Sequence, residues 1–302
     1  MNLVQKNAEE ALARWQLTLD DLRKQVRPLH PSETLLLVGS VPEGLSSAAS
    51  DIDLMIIGDQ EIDGKLVLEA TDFDESVERL KNGQKINVEY WRSSELAGLR
   101  QRFNAAVTTM KDPADFKKMQ VLDQSQFRLL HRLRNGLVLG NPERAAEWRR
   151  DMTLDSLPEY LTLYWVMCHY IFREDVIAQT QEDHALSALW MLRLAIDCIA
   201  AALLASIEET NPYPKWRVRL LERNRATLGQ AEVDMLLGYL FPAPGMEIKG
   251  YLKDVFAFCD KLIGQCLKRQ PAIRATLMIA NNRFPFMKRL DEYPATPVPS
   301  TT

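Results

Sequence analysis

Thr34-Leu-Leu-Leu-Val-Gly39-Ser40-Val-Pro-Glu-Gly-Leu-Ser46-Ser47-Ala-Ala-Ser50-Asp51-Ile-Asp53-Leu-Met-Ile-Ile-Gly58 is the stretch that decides the fold. An apolar run ends at Gly39-Ser40, a turn-rich segment follows, and Leu54 to Ile57 is apolar again. The pattern predicts strand, glycine turn, short helix and strand. Residues i and i+2 of a strand point to one face, so Asp51 and Asp53 are expected to point the same way. Two carboxylates on one face repel unless a cation or a shared proton lies between them. Hard oxygen ligands at this spacing suit Mg²⁺ held together with phosphate oxygens.

Outward from this stretch, Val4, Ala8, Ala11, Trp15, Leu19, Leu22 and Val26 recur at three- and four-residue steps. They predict an amphipathic helix over 3–26 that braces the sheet. Downstream, Lys65 to Ala70 reads as a strand and Phe73 to Leu80 as a helix. Asn82-Gly83 is a turn signal, and Ile86 to Trp91 reads as another strand. From Ser94 the periodicity is helical. The expected helices are Glu95 to Met110, Asp115 to Leu133, Leu157 to Ala178, Asp183 to Glu208, Lys215 to Asn224, Gln230 to Leu240 and Lys249 to Arg269. The fold class is therefore α+β: a small mixed sheet over residues 1–110, then an all-helical bundle over 111–293. The Pro-, Ser- and Thr-rich tail, 294–302, is expected to be disordered.

A net charge of −4 and a pI near 5.7 argue against a nucleic-acid polymer as the main ligand, since such binding rests on many Lys and Arg contacts to phosphate. Cys168, Cys198, Cys259 and Cys266 form no Cys-x-x-Cys pair and are expected as reduced thiols in a cytoplasmic protein. The four histidines are scattered, without zinc-ligand spacing. Ala185 to Ser206, the most apolar stretch, carries Arg193 and Asp197 and reads as a core helix; no membrane span is expected. Arg193 and Asp197, four residues apart, are expected to pair. Oligomeric state has no signature in the sequence.

Gly39-Ser40, ten residues and then Asp51-Ile52-Asp53 resembles the signature of the DNA polymerase beta-like nucleotidyltransferase superfamily. Ser46, Ser47 and Ser50 before Asp51 are similar to its small-molecule branch, the kanamycin nucleotidyltransferase-like one. Members carry a third carboxylate on a later strand, matched by Glu89 in Ile86-Asn-Val-Glu-Tyr-Trp91. The resemblance covers roughly residues 30–95. It implies transfer of a nucleoside monophosphate, AMP from ATP foremost, to a small-molecule acceptor with release of pyrophosphate. Two Mg²⁺ ions about 4 Å apart would hold the attacking and leaving oxygens in line. Asp51 and Asp53 would bridge both ions, and Glu89 would complete the acceptor-side ion and could take the acceptor's proton.

Gly39 has no Cβ and so lets the backbone approach phosphate, and Ser40 would add a hydroxyl at a helix start. Ser50 either contributes to the triphosphate site or shapes the turn before Asp51. Pro212-Tyr-Pro-Lys215-Trp216 resembles segments in the helical domains of small-molecule members, where Lys215 would meet phosphate. Arg132 and Arg134 read as a solvated helix end rather than as phosphate ligands.

Two other functions share the motif: a polymer-related or second-messenger synthase of the same superfamily, and a regulatory, toxin–antitoxin-type module. The latter expects an Arg followed four to six residues on by His. Here Arg128 to His131 is too close and Arg173 to His184 too far.

Overall fold

A computed structural model describes residues 3–26, 28–59, 74–79, 84–111, 121–241 and 248–283, with backbone alone for 74–79, 248–249 and 279–283. The architecture is α+β. The chain falls into two compact units: Met1–Ala105 with Gln120–Asp155, and Ala106–Met119 with Ser156–Thr302.

The first unit holds a five-stranded mixed sheet of β1 (Thr34–Val38), β2 (Ile52–Gly58), β3 (Asp74–Arg79), β4 (Lys85–Arg92) and β5 (Leu137–Gly140), in the order β3-β4-β2-β1-β5. Only β2 and β4 run parallel to each other; the remaining pairs are antiparallel. Strand alternation sorts the side chains. Leu35, Leu37, Ile52, Leu54, Ile56, Ile86, Val88 and Leu139 face one way and are buried with Ala8, Ala11, Leu12 and Leu22. Those partners belong to helices α1 (Leu3–Arg14) and α2 (Leu19–Arg23). The opposite face therefore carries Val38, Asp53, Met55, Asn87 and Glu89, as the registers Val38↔Asp53, Asp53↔Asn87 and Met55↔Glu89 require.

The single helix expected over 3–26 is two helices. Gln16 at φ 58 ends the first, and a capping box between Thr18 and Asp21 starts the second. No helix forms between β1 and β2 either. Gly44 at φ +70 and a bond from the Leu45 amide to the Ser40 carbonyl (2.9 Å) fold 39–50 into successive turns.

The helix expected over Phe73 to Leu80 is strand β3, because Asp74–Arg79 meets β4 in an antiparallel ladder. Tertiary pairing overrides the weak helical signal of a short polar segment. The strand expected at Lys65 to Ala70, the Asn82-Gly83 turn and the 294–302 tail lie outside the described residues.

Helix α3 (Ser93–Lys111) passes through the division between the units, which falls after Ala105. The expected cut at residue 110 assigned everything beyond it to the helical half. The structure returns α4 (Gln124–Asn135), β5 and α5 (Pro142–Asp151) to the sheet unit, since β5 pairs with β1. Helix α4 starts at an Asp123 cap, its side chain accepting from the Gln126 amide; the part of the expected Asp115 to Leu133 helix before residue 121 lies outside the described residues.

The second unit is helical: α6 (Leu157–Gln181), α7 (Ala185–Ala205), α8 (Arg217–Arg223), α9 (Arg225–Leu228), α10 (Gln230–Leu240), α11 (Ile248–Arg269) and α12 (Ala272–Arg283). Its axis of packing is α6 against α7, with α8, α10 and α11 also on α7. Helix α7 is long and apolar enough to cross a membrane by length and composition, and 67% of its most apolar window is buried within the protein. Asp197 pairs with Arg217 (3.1 Å) instead of Arg193, whose guanidinium lies over the Phe241 ring. All four cysteines are free.

Candidate active site

The site is built on the sheet face opposite α1 and α2. Asp51 stands just before β2 and Asp53 is its second residue, so both side chains project from the same end of one strand. Asp51 is half exposed and meets Lys85 Nζ at 3.2 Å. Asp53 is more enclosed. Burial raises its carboxyl above the usual 3.8, against the lowering effect of the Asn87 hydrogen bond and the Arg132 charge.

The turn after β1 is fitted to Asp53. Gly39 has φ +74, and a Cβ there would stand 2.5 Å from Asp53 Oδ2. Glycine is thus required twice, by its left-handed backbone and by the carboxylate against its Cα. Ser40 is half-buried and gives its carbonyl to the Leu45 amide. In the turn before Asp51, the Ser50 hydroxyl accepts from the Ser47 amide (2.8 Å) and lies 3.2 Å from the Ser47 hydroxyl.

Glu89 lies on the same face but two residues further along β4 than the position opposite Asp53. That position is held by Asn87, whose Nδ2 donates to Asp53 Oδ1 at 2.9 Å. The Oδ1 of Asn87 is buried and meets no hydrogen-bond partner. Both oxygens of Glu89 are engaged, Oε1 by Arg132 Nη1 at 2.5 Å and Oε2 by Trp91 Nε1 at 3.4 Å. Among the described residues no group of three or more His, Cys, Asp or Glu side chains could hold one metal ion. Asp51 and Asp53 are the two carboxylates at this end of β2, while Glu89 is committed to a guanidinium. The expected set of three carboxylates on shared ions is not assembled in this arrangement.

Helix α4 supplies what sequence reasoning missed. Arg132 is a partly buried ion-pair partner rather than a solvated helix end, and Arg134 turns to Asn135. One residue before Arg132, His131 is 1% exposed, and its Nε2 meets Glu43 of the 39–50 turn at 3.0 Å. Asn135 Nδ2 donates to the His131 Nδ1 (2.8 Å), which fixes the tautomer with the proton on Nε2, donated to Glu43. One helix thereby anchors both the glycine turn and the third carboxylate.

The sequence signal for Asn87 was present. It alternates with Glu89 as Asp51 does with Asp53, so it had to share their face. Arg132 and His131 carried no such signal, because their partners lie 43 and 88 residues away.

Next to Trp91, a polar cavity of about 350 Å³ opens within the same unit, lined among others by Ser94, Glu95, Arg102, Asp123 and Gln126. Lys215 belongs to the other unit. It is exposed on the Pro214–Trp216 turn, with its ammonium over the Tyr213 and Trp216 rings at 5.6 and 5.1 Å.

No protein-family profile matches the sequence, and neither does any curated protein. Among solved structures, the chain is similar to one described as a nucleotidyltransferase-like protein from Exiguobacterium sibiricum 255-15. The identity is 10%, the match covers 85% of this chain and 75% of that one, and the TM-score is 0.43.

Proposed function

We propose that the protein is a nucleotidyltransferase that moves a nucleoside monophosphate, AMP from ATP, to a hydroxyl of a small-molecule acceptor. One observation carries this reading: the glycine turn at Gly39-Ser40 is folded directly against Asp53 of the Asp51-x-Asp53 pair. A phosphate-accepting turn and a cation-binding carboxylate pair thus form one surface.

In this reading Gly39 and Ser40 receive the triphosphate, and Asp51 and Asp53 hold Mg²⁺, a hard cation suited to two carboxylates and phosphate oxygens. When bound, the ion supplies charge neutralisation on the phosphates and the leaving pyrophosphate. The acceptor oxygen bonds to the α-phosphorus as the bond to pyrophosphate breaks, and the hydroxyl proton is released. Lys85, beside Asp51, holds the carboxylate in place until the ion replaces it. The cavity beside Trp91 falls at the small end of ligand-pocket volumes, about 300–1,000 Å³, which favours a small acceptor over a polymer. The acidic balance of the chain points the same way.

Calorimetry with Mg²⁺ and a non-hydrolysable ATP analogue, followed by pyrophosphate release over a panel of hydroxylated acceptors, tests the reading. Asp51→Asn is expected to lower turnover at least about 100-fold with the fold intact. Normal turnover in that variant, or no affinity of the wild type for the analogue, refutes it.

A further inference from the structure

The third carboxylate is where the structure says more than the motif. Glu89 is 7% exposed, and its two oxygens are taken by a guanidinium and an indole N–H. An ion shared with Asp53 would need Glu89 to leave Arg132, and separating a partly buried ion pair is costly. The register adds a second obstacle. The residue opposite Asp53 is Asn87, and it presents an N–H donor to Asp53 Oδ1. A donor occupies Asp53 Oδ1, which leaves Oδ2, the oxygen against Gly39, for an ion shared with Asp51, whose own Oδ2 meets Lys85 of β4. Glu89 stands about 6–7 Å further along the strand, at about 3.3 Å per residue.

We infer that this site takes a single divalent cation, on Asp51 and Asp53. Glu89 is the anchor of Arg132, a fixed cation on the same sheet face that cannot leave with product. The inference rests on the nucleotidyl-transfer reading for its ligand. A guanidinium suits this part, since it is always charged and presents a rigid fork of donors that matches phosphate oxygens. Arg132 is itself placed by α4, which also grips the glycine turn through His131 and Glu43.

Mn²⁺ binding in the presence of a non-hydrolysable ATP analogue, counted by electron paramagnetic resonance, tests this without any turnover. The wild type is expected to bind one Mn²⁺ per chain at saturation. Glu89→Gln is expected to keep that one with affinity within about threefold, since no ligand is lost. Arg132→Met leaves Asn87 opposite Asp53, so it is expected to keep one Mn²⁺ and to bind the analogue at least about tenfold more weakly. Two ions on the wild type falling to one in Glu89→Gln would overturn the inference and leave nucleotidyl transfer standing. Unchanged analogue affinity in folded Arg132→Met would overturn the role given to Arg132 as a fixed cation. No Mn²⁺ on the wild type would sink the transfer reading itself and this inference with it. Should Arg132→Met fail to fold, the comparison of wild type with Glu89→Gln still decides.

Discussion

Replacing Arg132 with methionine is expected to destabilise the sheet unit by about 2–4 kcal/mol. Removing one partner of a buried ion pair costs about 3–5 kcal/mol, because the other charge stays behind without compensation. Glu89 would keep only its long bond to the Trp91 indole. The side chains are 18% and 9% exposed, so some solvent reaches the abandoned carboxylate, and the lower part of the range is the better guide.

Glu89→Gln keeps the shape and an acceptor oxygen for Arg132, and should cost about 1–2 kcal/mol. Arg132→Met combined with Glu89→Leu removes both polar groups together and should recover most of the loss, to within about 1 kcal/mol of wild type. As a control, Lys85→Met removes an ion pair whose members are 36% and 41% exposed, and should cost less than about 1 kcal/mol. Urea unfolding is the assay, and its slope must stay constant across variants, since a chain of two units can unfold in steps. An Arg132→Met variant within about 0.5 kcal/mol of wild type, or a double variant equal to the sum of its singles, would refute the reasoning.

Two further expectations concern pH. Burial raises the Asp53 carboxyl, so its contribution to stability is present below 3.8 and lost as pH rises through the folded value. Asp53→Asn escapes that loss, and thermal melts should show it more stable than wild type at pH 7, with the gap closing towards pH 4; a less stable variant at pH 7 would contradict this. His169 is fully buried, and desolvation lowers it to about 4 although the Ala195 carbonyl accepts from its Nδ1. Between pH 6.5 and 4 the unfolded chain therefore binds a proton that the folded one does not, and stability falls by up to about 1.4 kcal/mol per pH unit. His169→Gln should flatten that slope by about one proton, and an unchanged slope in urea unfolding would show that His169 is protonated in place.

The strands flanking the Asp51-x-Asp53 motif were readable because their apolar runs and glycine breaks are local. So were α6, α7, α10 and α11, whose periodicities run for eleven residues or more. β3 was misread because its six residues, Asp-Glu-Ser-Val-Glu-Arg, hold one apolar side chain, and only the ladder to β4 makes them a strand. β5 drew no reading as a strand, since the apolar run Leu137 to Leu139 is too short to show a period.

In the site, Asp51, Asp53 and Gly39 followed from spacing and from what glycine permits. The partners of Glu89 did not. A charged residue on a helix such as Arg132 reads as solvated until the fold brings a strand from 43 residues upstream beneath it. The pairing of Arg217 with Asp197 escaped for the same reason, because a four-residue spacing to Arg193 offered a nearer partner.

The late arrival of β5 has a consequence for how the protein is made and cut. Leu137–Gly140 closes the side of β1 not covered by β2, about a hundred residues after β1 itself is synthesised. Until then Leu35 to Leu37 present unpaired backbone groups on an apolar strand, a template for pairing with another chain. A fragment ending at residue 110 would carry Gly39, Asp51, Asp53 and Glu89 and still leave that flank open, so it is expected to aggregate. One extended through Asp155 would cover it.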